Sequence, residues 1–567
     1  MNFQLIKKSR ILLIGIIIAY TYIINSHALA QRQSRPNFIF ILTDDQSYGY
    51  MGCEGNKIVK TPNLDKLAKE GTHFTNAHVT SAICTPSRIS ILLSQFERKH
   101  GVNFNSGTSV APEAWTQSYP VLMRNAGYYT GYIGKNHAPI GAGGYESDLM
   151  KKSFDFFYAG HGHLTFYPKD RHEIFKNAKA DTQVEIIGEG VDEFLGSNEW
   201  RLEGALGFLE HRPKDKPFCL SVCLNLPHGS STGTMQMRDS DPEIYKSLYR
   251  DLQIPMPQNY IAKADIKQPK LPAGLLKTEN RQGSYNWVDT PETVRERLIR
   301  QYQAMTGIDR LIGNLQNKLK TLNIDKNTII IFTSDHGLFS GQFGLGGKAL
   351  CYEVVTRVPM IIYNPMKGGK PKGKKLDELV QSIDIAPTML SMAGIEIPEA
   401  FQGKDLSPIL NGTSESVRGF LFTENLWSTQ FGNPRCEAVQ DKEWKYIRYY
   451  KNDNFPAQKK IEVAREMGIP LGKMLYAVHD PDIALYRHFA ESSLQGEVPV
   501  YEELFNLAED PWERTNLIAD KRYAHQLEKL RNAWKKEIAV ARGTQPPKVL
   551  RYTSESKYES GKTGKPK

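Results

Sequence analysis

Cys84 stands in Cys84-Thr85-Pro86-Ser87-Arg88, and Ile89, Leu92, Leu93 and Phe96 follow at helical spacing. Proline suits a first helical turn, so a buried helix is expected here with Cys84 or Thr85 at its cap. A thiol at that end faces unpaired N–H groups and the positive end of the helix dipole. Arg88 lies one turn on and can bring its guanidinium beside the Cys84 side chain. Thiol, helix end and arginine together suit a tetrahedral oxyanion. A small packed cysteine beside a surface arginine would be spelled the same way, so other residues must decide.

Those residues sit at the ends of apolar runs. Asn37-Phe38-Ile39-Phe40-Ile41-Leu42-Thr43 has no alternation, as in a strand buried on both faces of a parallel sheet, and it ends in Asp44-Asp45. Tyr128 to Ile133 delivers Lys135 and His137, Phe218 to Leu226 delivers His228, and Thr328 to Ser334 delivers Asp335-His336. A lone histidine or an aspartate pair after a strand is ordinarily structural or a turn. Four such strand ends in one chain argue against coincidence, because ligands of open α/β sheets lie beyond the carboxyl ends of the strands.

Helices expected between the strands complete a doubly wound arrangement. Pro62 to Glu70 starts on proline and stops at Gly71, and a long helix after Thr290-Pro291 carries Leu298, Tyr302, Met305, Ile308, Ile312, Leu315 and Leu319. Two stretches break the pattern: 138–190, with His161, His163, Arg171 and His172, and 229–289, rich in proline and tyrosine. Long inserts above strand ends suit substrate-binding loops. Near 415 the character changes to alternation at Trp444 to Tyr450 and a final amphipathic helix at 523–541. The expected fold is α/β, a large, mostly parallel sheet sandwiched by helices, spanning 31–415. A smaller α+β subdomain with an antiparallel sheet is expected at 416–550.

Cys84-Thr85-Pro86-Ser87-Arg88 resembles the Cys-x-Pro-Ser-Arg signature of type I sulfatases, of alkaline-phosphatase-like fold. Gly346-Gly347-Lys348-Ala349-Leu350-Cys351-Tyr352-Glu353 is similar to that family's Lys-x-x-x-Tyr-Glu stretch, and Glu503 to Pro511 to its Leu-Tyr-Asp-Leu-x-x-Asp-Pro element. The resemblance runs from about 36 to about 520. It implies that Cys84 is oxidised to formylglycine by a maturing enzyme. It also implies a calcium site made by Asp44, Asp45, the modified Cys84, Asp335 and His336; magnesium is the second choice of metal. Carboxylate oxygens suit such hard ions, whereas the imidazole of His336 is an unusual ligand for calcium.

The implied chemistry is hydrolysis of a sulfate ester. One hydroxyl of the hydrated aldehyde attacks sulfur in line, displacing the alcohol; the other then collapses the hemiacetal, expelling sulfate and restoring the aldehyde. By resemblance Arg88, Lys135 and Lys348 hold the sulfate oxygens, His228 protonates the leaving oxygen, and His137 assists the nucleophile. Two other readings stay open: a phosphomonoesterase or phosphodiesterase of the same superfamily, and a sulfated-glycan binder without turnover.

Lys7, Lys8 and Arg10, the apolar run Ile11 to Ile24, and Ala28-Leu29-Ala30 form a signal peptide with expected cleavage after Ala30. The run is short for a membrane span, so export to the periplasm or medium is expected, without stable membrane insertion. The chain has 567 residues and a formal net charge of +10, part of it in the leader and in a basic tail at 551–567 expected to be disordered. That balance suits an acidic partner, and export points to sulfated carbohydrate, algal (ulvan, carrageenan or fucoidan) or glycosaminoglycan, attacked at a chain end. No nucleic-acid-binding signature is present. Of six cysteines, Cys219 and Cys223 lie four residues apart on one strand, roughly 13 Å, too far to pair.

Overall fold

The computed structural model describes residues 35–103, 108–141, 143–160, 204–228, 247–276, 285–366, 373–426, 433–450, 490–544 and 550–551. The expected signal peptide at 1–30, His161, His163, Arg171, His172, part of each insert and nearly all of the basic tail lie outside the described residues.

The main sheet is built from β1 (Asn37–Asp44), β2 (Thr72–His78), β3 (Tyr129–Lys135), β4 (Phe156–Gly160), β5 (Phe218–Pro227), β6 (Thr328–Ser334), β7 (Arg357–Tyr363), β8 (Lys374–Leu376) and β9 (Val380–Gln381). The order is β8-β2-β7-β6-β1-β5-β3-β4, with β9 also on β2. All pairings are parallel except those of β7 with β2 and β6. The mostly parallel sheet is therefore as expected.

The unbroken apolar run of β1 follows from helices on both faces. Ile39 and Ile41 join the core made with α1 (Pro62–Glu70), α3 (Gly204–His211) and α4 (Pro291–Thr321). Phe38, Phe40 and Leu42 join the opposite core, with α2 (Cys84–Leu93) and α5 (Ile385–Met392). Alternate side chains point to alternate faces, and here both faces are dry. In α4 Thr290 caps the helix, its side chain accepting from the Thr293 N–H, with Pro291 at the first position.

A second, antiparallel sheet follows: β10 (Leu421–Asn425), β11 (Arg435–Gln440), β12 (Trp444–Tyr450) and β13 (Tyr501–Asn506). The last helix, α6 (Ala524–Arg542), lays Leu530, Trp534 and Ile538 against Phe422, Val439, Tyr446 and Leu504 of this sheet. Phe96 and Ile383 of the larger unit enter the same cluster, and a second apolar cluster packs Leu350, Tyr352 and Val355 against Ala438, Ile447 and Phe505, so two apolar contacts join the two sheets' territories.

The start of α2 differs from the sequence expectation. Cys84 is its first helical residue, and the cap is extended Ile83, which offers no side-chain acceptor. The free N–H groups of the first turn are thus left for other partners.

Candidate active site

The strands β6, β1, β5 and β3 are consecutive in the sheet and mutually parallel, so their carboxyl ends share one edge. That places Asp44 and Asp45, Lys135, His228, and Asp335 with His336 along one rim. The start of α2 brings Cys84 and Arg88 to it, and the glycine-containing loop after β6 brings Lys348. All ten side chains expected from the sequence, His137 included, are buried. Asp45, His137 and Ala349 have φ of 62°, 43° and 67°, left-handed values that aspartate tolerates better than alanine and that cost energy at a site.

Three carboxylates meet three permanent cations one to one. Lys135 Nζ is 2.5 Å from Asp44 Oδ2, Lys348 Nζ is 2.9 Å from Asp45 Oδ1, and Arg88 Nε donates to Asp335 Oδ2 at 2.8 Å. Arg88 also donates to the carbonyls of Lys135 and Leu224, which ties α2 to β3 and β5. Ser87 Oγ donates to the Asp335 carbonyl at 2.6 Å.

The Cys84 sulfur lies at the focus: 3.1 Å from Lys348 Nζ, 3.3 Å from His336 Nε2 and 3.5 Å from Asp44 Oδ1. Arg88 and the thiol share a partner: Asp44 Oδ1 lies 3.5 Å from the sulfur and 3.6 Å from the Arg88 guanidinium. His228 Nε2 is 3.7 Å from Asp45 Oδ2, on the same cluster. His137 packs its ring 6.3 Å from that of Tyr145.

Burial alone would raise the Asp44 carboxyl, yet Lys135, His228, Arg88 and Lys348 hold it well below the usual carboxylate range. Asp335 goes the other way: burial and the neighbouring Asp44 charge raise it despite Arg88. Burial disfavours charge on His336, but Asp335, with Cys84 and Asp45, lifts it to about 9. Burial likewise opposes the Lys348 charge, and Asp45 with Cys84 keeps it well above the ordinary value.

The residues fit a hard cation. Donor atoms of Asp44, Asp45, Cys84 and His336 lie within 4.8 Å of one another. Asp45 Oδ2 is buried and accepts no hydrogen bond, an orphaned anionic oxygen that a cation would satisfy. Asp335, also expected as a ligand, adjoins this four-donor set: its Oδ1 lies 3.8 Å from His336 Nε2 and accepts from the Asp45 N–H, while its Oδ2 accepts from Arg88. Tyr285 was not legible as a site residue. Its buried hydroxyl is raised first by burial and then feels Lys348, Asp45 and Cys84. It comes from an irregular stretch with no motif around it, and only the tyrosine content of the insert hinted at it.

The model for the family described as sulfatase matches residues 36–395, more than half of the chain. The chain belongs to the sulfatase family. This sulfatase, an enzyme hydrolysing sulfate esters, also matches a model described as N-sulphoglucosamine sulphohydrolase, C-terminal, over 341–459. It is 26% identical to an N-acetylglucosamine-6-O-sulfatase of Bacteroides thetaiotaomicron, covering 88% of this chain and 86% of that protein. An ulvan-active sulfatase of Formosa agariphila is 27% identical over 73% of each chain. A solved structure in complex with its substrate D-glucosamine-2-N,6-O-disulfate superposes with a TM-score of 0.63 at 21% identity, covering 90% of this chain and 99% of that one. The phosphonate monoester hydrolase of Agrobacterium radiobacter has the same fold, with a TM-score of 0.62 at 20% identity, covering 89% of this chain and 95% of that one.

Proposed function

We propose that this sulfatase is exported and removes sulfate from sulfated oligosaccharides through a formylglycine made from Cys84. The observation that carries the reading is the position of the Cys84 sulfur, touched at once by a lysine, a histidine and an aspartate at the head of α2. Asp44, Asp45, Cys84 and His336 would hold a hard divalent cation, calcium by preference, and Asp335 orients Arg88 beside it. When bound, that cation stabilises negative charge on the nucleophilic oxygen and on sulfate. With the carboxylates engaged, Lys135 and Lys348 are left to hold sulfate oxygens, and the helix N–H groups face the same anion. His228 is poised at the rim to protonate the departing alcohol oxygen, and His137 helps to remove the proton of the nucleophile.

Two relatives, an N-acetylglucosamine-6-O-sulfatase and an ulvan-active sulfatase, support a sugar substrate from glycosaminoglycan or alga. Burial of every named side chain supports attack at a chain end, because a terminal sulfate reaches such depth without bending a polymer around it. The phosphonate monoester hydrolase of similar fold supports a second reading, cleavage of phosphorus esters.

The test is sulfate release from defined oligosaccharides of both kinds, beside aryl sulfate, aryl phosphate and an aryl phosphonate, with and without chelator. Release of sulfate from at least one sugar, lost on chelation, is expected. Turnover of the phosphorus esters alone would replace the reading with the second one, and activity on aryl sulfate alone would remove the sugar.

A further inference from the structure

Cys351 and Cys436 have no part in the chemistry above, and their sulfur atoms lie 3.5 Å apart. Cys351 follows Lys348 by three residues, in the stretch that also holds Tyr352 and Glu353. Cys436 lies in β11, opposite Asn425 of β10 and Tyr449 of β12. They are 85 residues apart in sequence, both fully buried, and packed in one apolar cluster with Leu350, Tyr352, Ala438 and Ile447. The nearest polar atoms are carbonyls, Thr423 O at 3.8 Å from Cys351 Sγ and Ala349 O at 3.9 Å from Cys436 Sγ, too distant for strong thiol bonds.

We propose that Cys351 and Cys436 are joined as a cystine that ties the Lys348 loop to the C-terminal sheet. Sulfurs 3.5 Å apart must close to about 2.05 Å to bond, a short approach for two side chains already in contact. The other cysteines do not compete. Cys219 and Cys223 share strand β5, Cys53 lies at the start of a short turn against Asp65, and Cys84 belongs to the active site. Forming the bond removes two protons and two electrons, and the acceptor is a small or protein disulfide. One thiolate attacks an acceptor sulfur and expels its partner as thiolate; the second cysteine then attacks the protein sulfur of the mixed disulfide and expels the other. Burial raises the Cys436 thiol, so the exchange takes place while the chain folds, before the cluster closes over the pair.

The consequence reaches the active site. Lys348 touches both Asp45 and Cys84, so whatever fixes its loop fixes the distance between cation and nucleophile. This inference does not rest on the sugar reading and stands whatever ester is cleaved.

The test uses the full chain, folded with a mixture of reduced glutathione and glutathione disulfide, alkylated while denatured, and digested without reductant. A peptide pair linked through Cys351 and Cys436, released by reductant, is expected. Its melting temperature is expected to fall by roughly 3 °C on reduction, to that of Cys351→Ser/Cys436→Ser, which itself ignores the reductant. Recovery of Cys351 and Cys436 fully alkylated from folded, oxidised protein overturns the proposal. So does a linked pair whose reduction leaves the melting temperature unmoved, because the tie would then hold nothing.

Discussion

Arg88 and Arg98 are both fully buried and both bind carboxylates, yet their surroundings are finished to different degrees. Arg98, in the short helix Glu97–His100, donates to Glu424 Oε2 at 2.9 Å and to Glu437 Oε1 at 2.6 Å. Its backbone N–H takes Glu424 Oε1, while Trp534 and Tyr450 take Glu437 Oε2. Every carboxylate oxygen there has a donor. Around Arg88 three carboxylates meet Arg88, Lys135, Lys348 and His336, but Asp45 Oδ2 accepts no hydrogen bond and a thiol sits among the charges. The Arg98 network is a joint, closing the larger unit onto β10, β11 and α6. The Arg88 network is a tool, held ready with capacity unused. Completeness of hydrogen bonding separates the two where burial and charge do not.

The largest effect should follow from touching the tool at its focus. Cys84→Ala is expected to abolish sulfate-ester turnover while the melting temperature stays near that of the parent; sulfate release read beside thermal unfolding checks both. Loss of fold would mean that Cys84 is part of a joint after all. Breaking the joint should do the reverse. Arg98→Ala leaves Glu424 and Glu437 buried without their cation, which costs about 3–5 kcal/mol. Urea unfolding should show that loss, with turnover per folded molecule close to the parent's. A stability change below about 1 kcal/mol would show that the network contributes nothing net.

Lys348→Ala sharpens the contrast from the other side. It removes one donor proposed to hold a sulfate oxygen, and a fall in kcat of roughly a hundred- to a thousandfold is expected. Steady-state kinetics should show it in kcat more than in KM, since the charge matters most where sulfate charge changes. An effect on KM alone would make Lys348 a binding residue.

The smallest effect is the pH dependence of the joint. Burial holds His100 down to about 3, against an ordinary 6.5, so unfolding takes up a proton between those values. Its stability is present above 6.5 and is lost as pH falls. Burial, with Glu424, pushes Glu97 up to about 8 from 4.5, so unfolding releases a proton in that window. Its stability is full below 4.5 and is lost as pH rises toward 8. Between 4.5 and 6.5 the two slopes cancel, giving a plateau with an acid and an alkaline limb. Glu97→Gln should flatten the alkaline limb and His100→Asn the acid one in melting temperatures taken across pH. An unchanged profile in both variants would place the titration elsewhere.

The tool was far more legible in the sequence than the joint. Cys84 to Arg88 are contiguous, and strand ends announce themselves because β1, β5 and β6 are apolar on both faces until the chain reaches the rim. The cap of α2 was missed by a residue, because Ile83 gives no side-chain signal and the turn is closed by its surroundings. Local spacing places Arg88 one turn from the thiol but does not reveal its carboxylate partners, Asp335 and Asp44, brought from distant strands. Nothing near Arg98 points to Glu424, 326 residues away, or Glu437, 339 away. Tyr285 has the same character. Such partners are chosen by how the sheets dock, which no local spacing encodes.

The central claim is that Cys84 acts as formylglycine, and the most direct measurement is the mass of the peptide spanning Cys84 in a preparation whose sulfatase turnover has been measured. The account predicts the aldehyde, in a fraction that rises and falls with turnover across preparations made with and without a maturing enzyme. An active preparation containing Cys84 only as the unmodified thiol would contradict it.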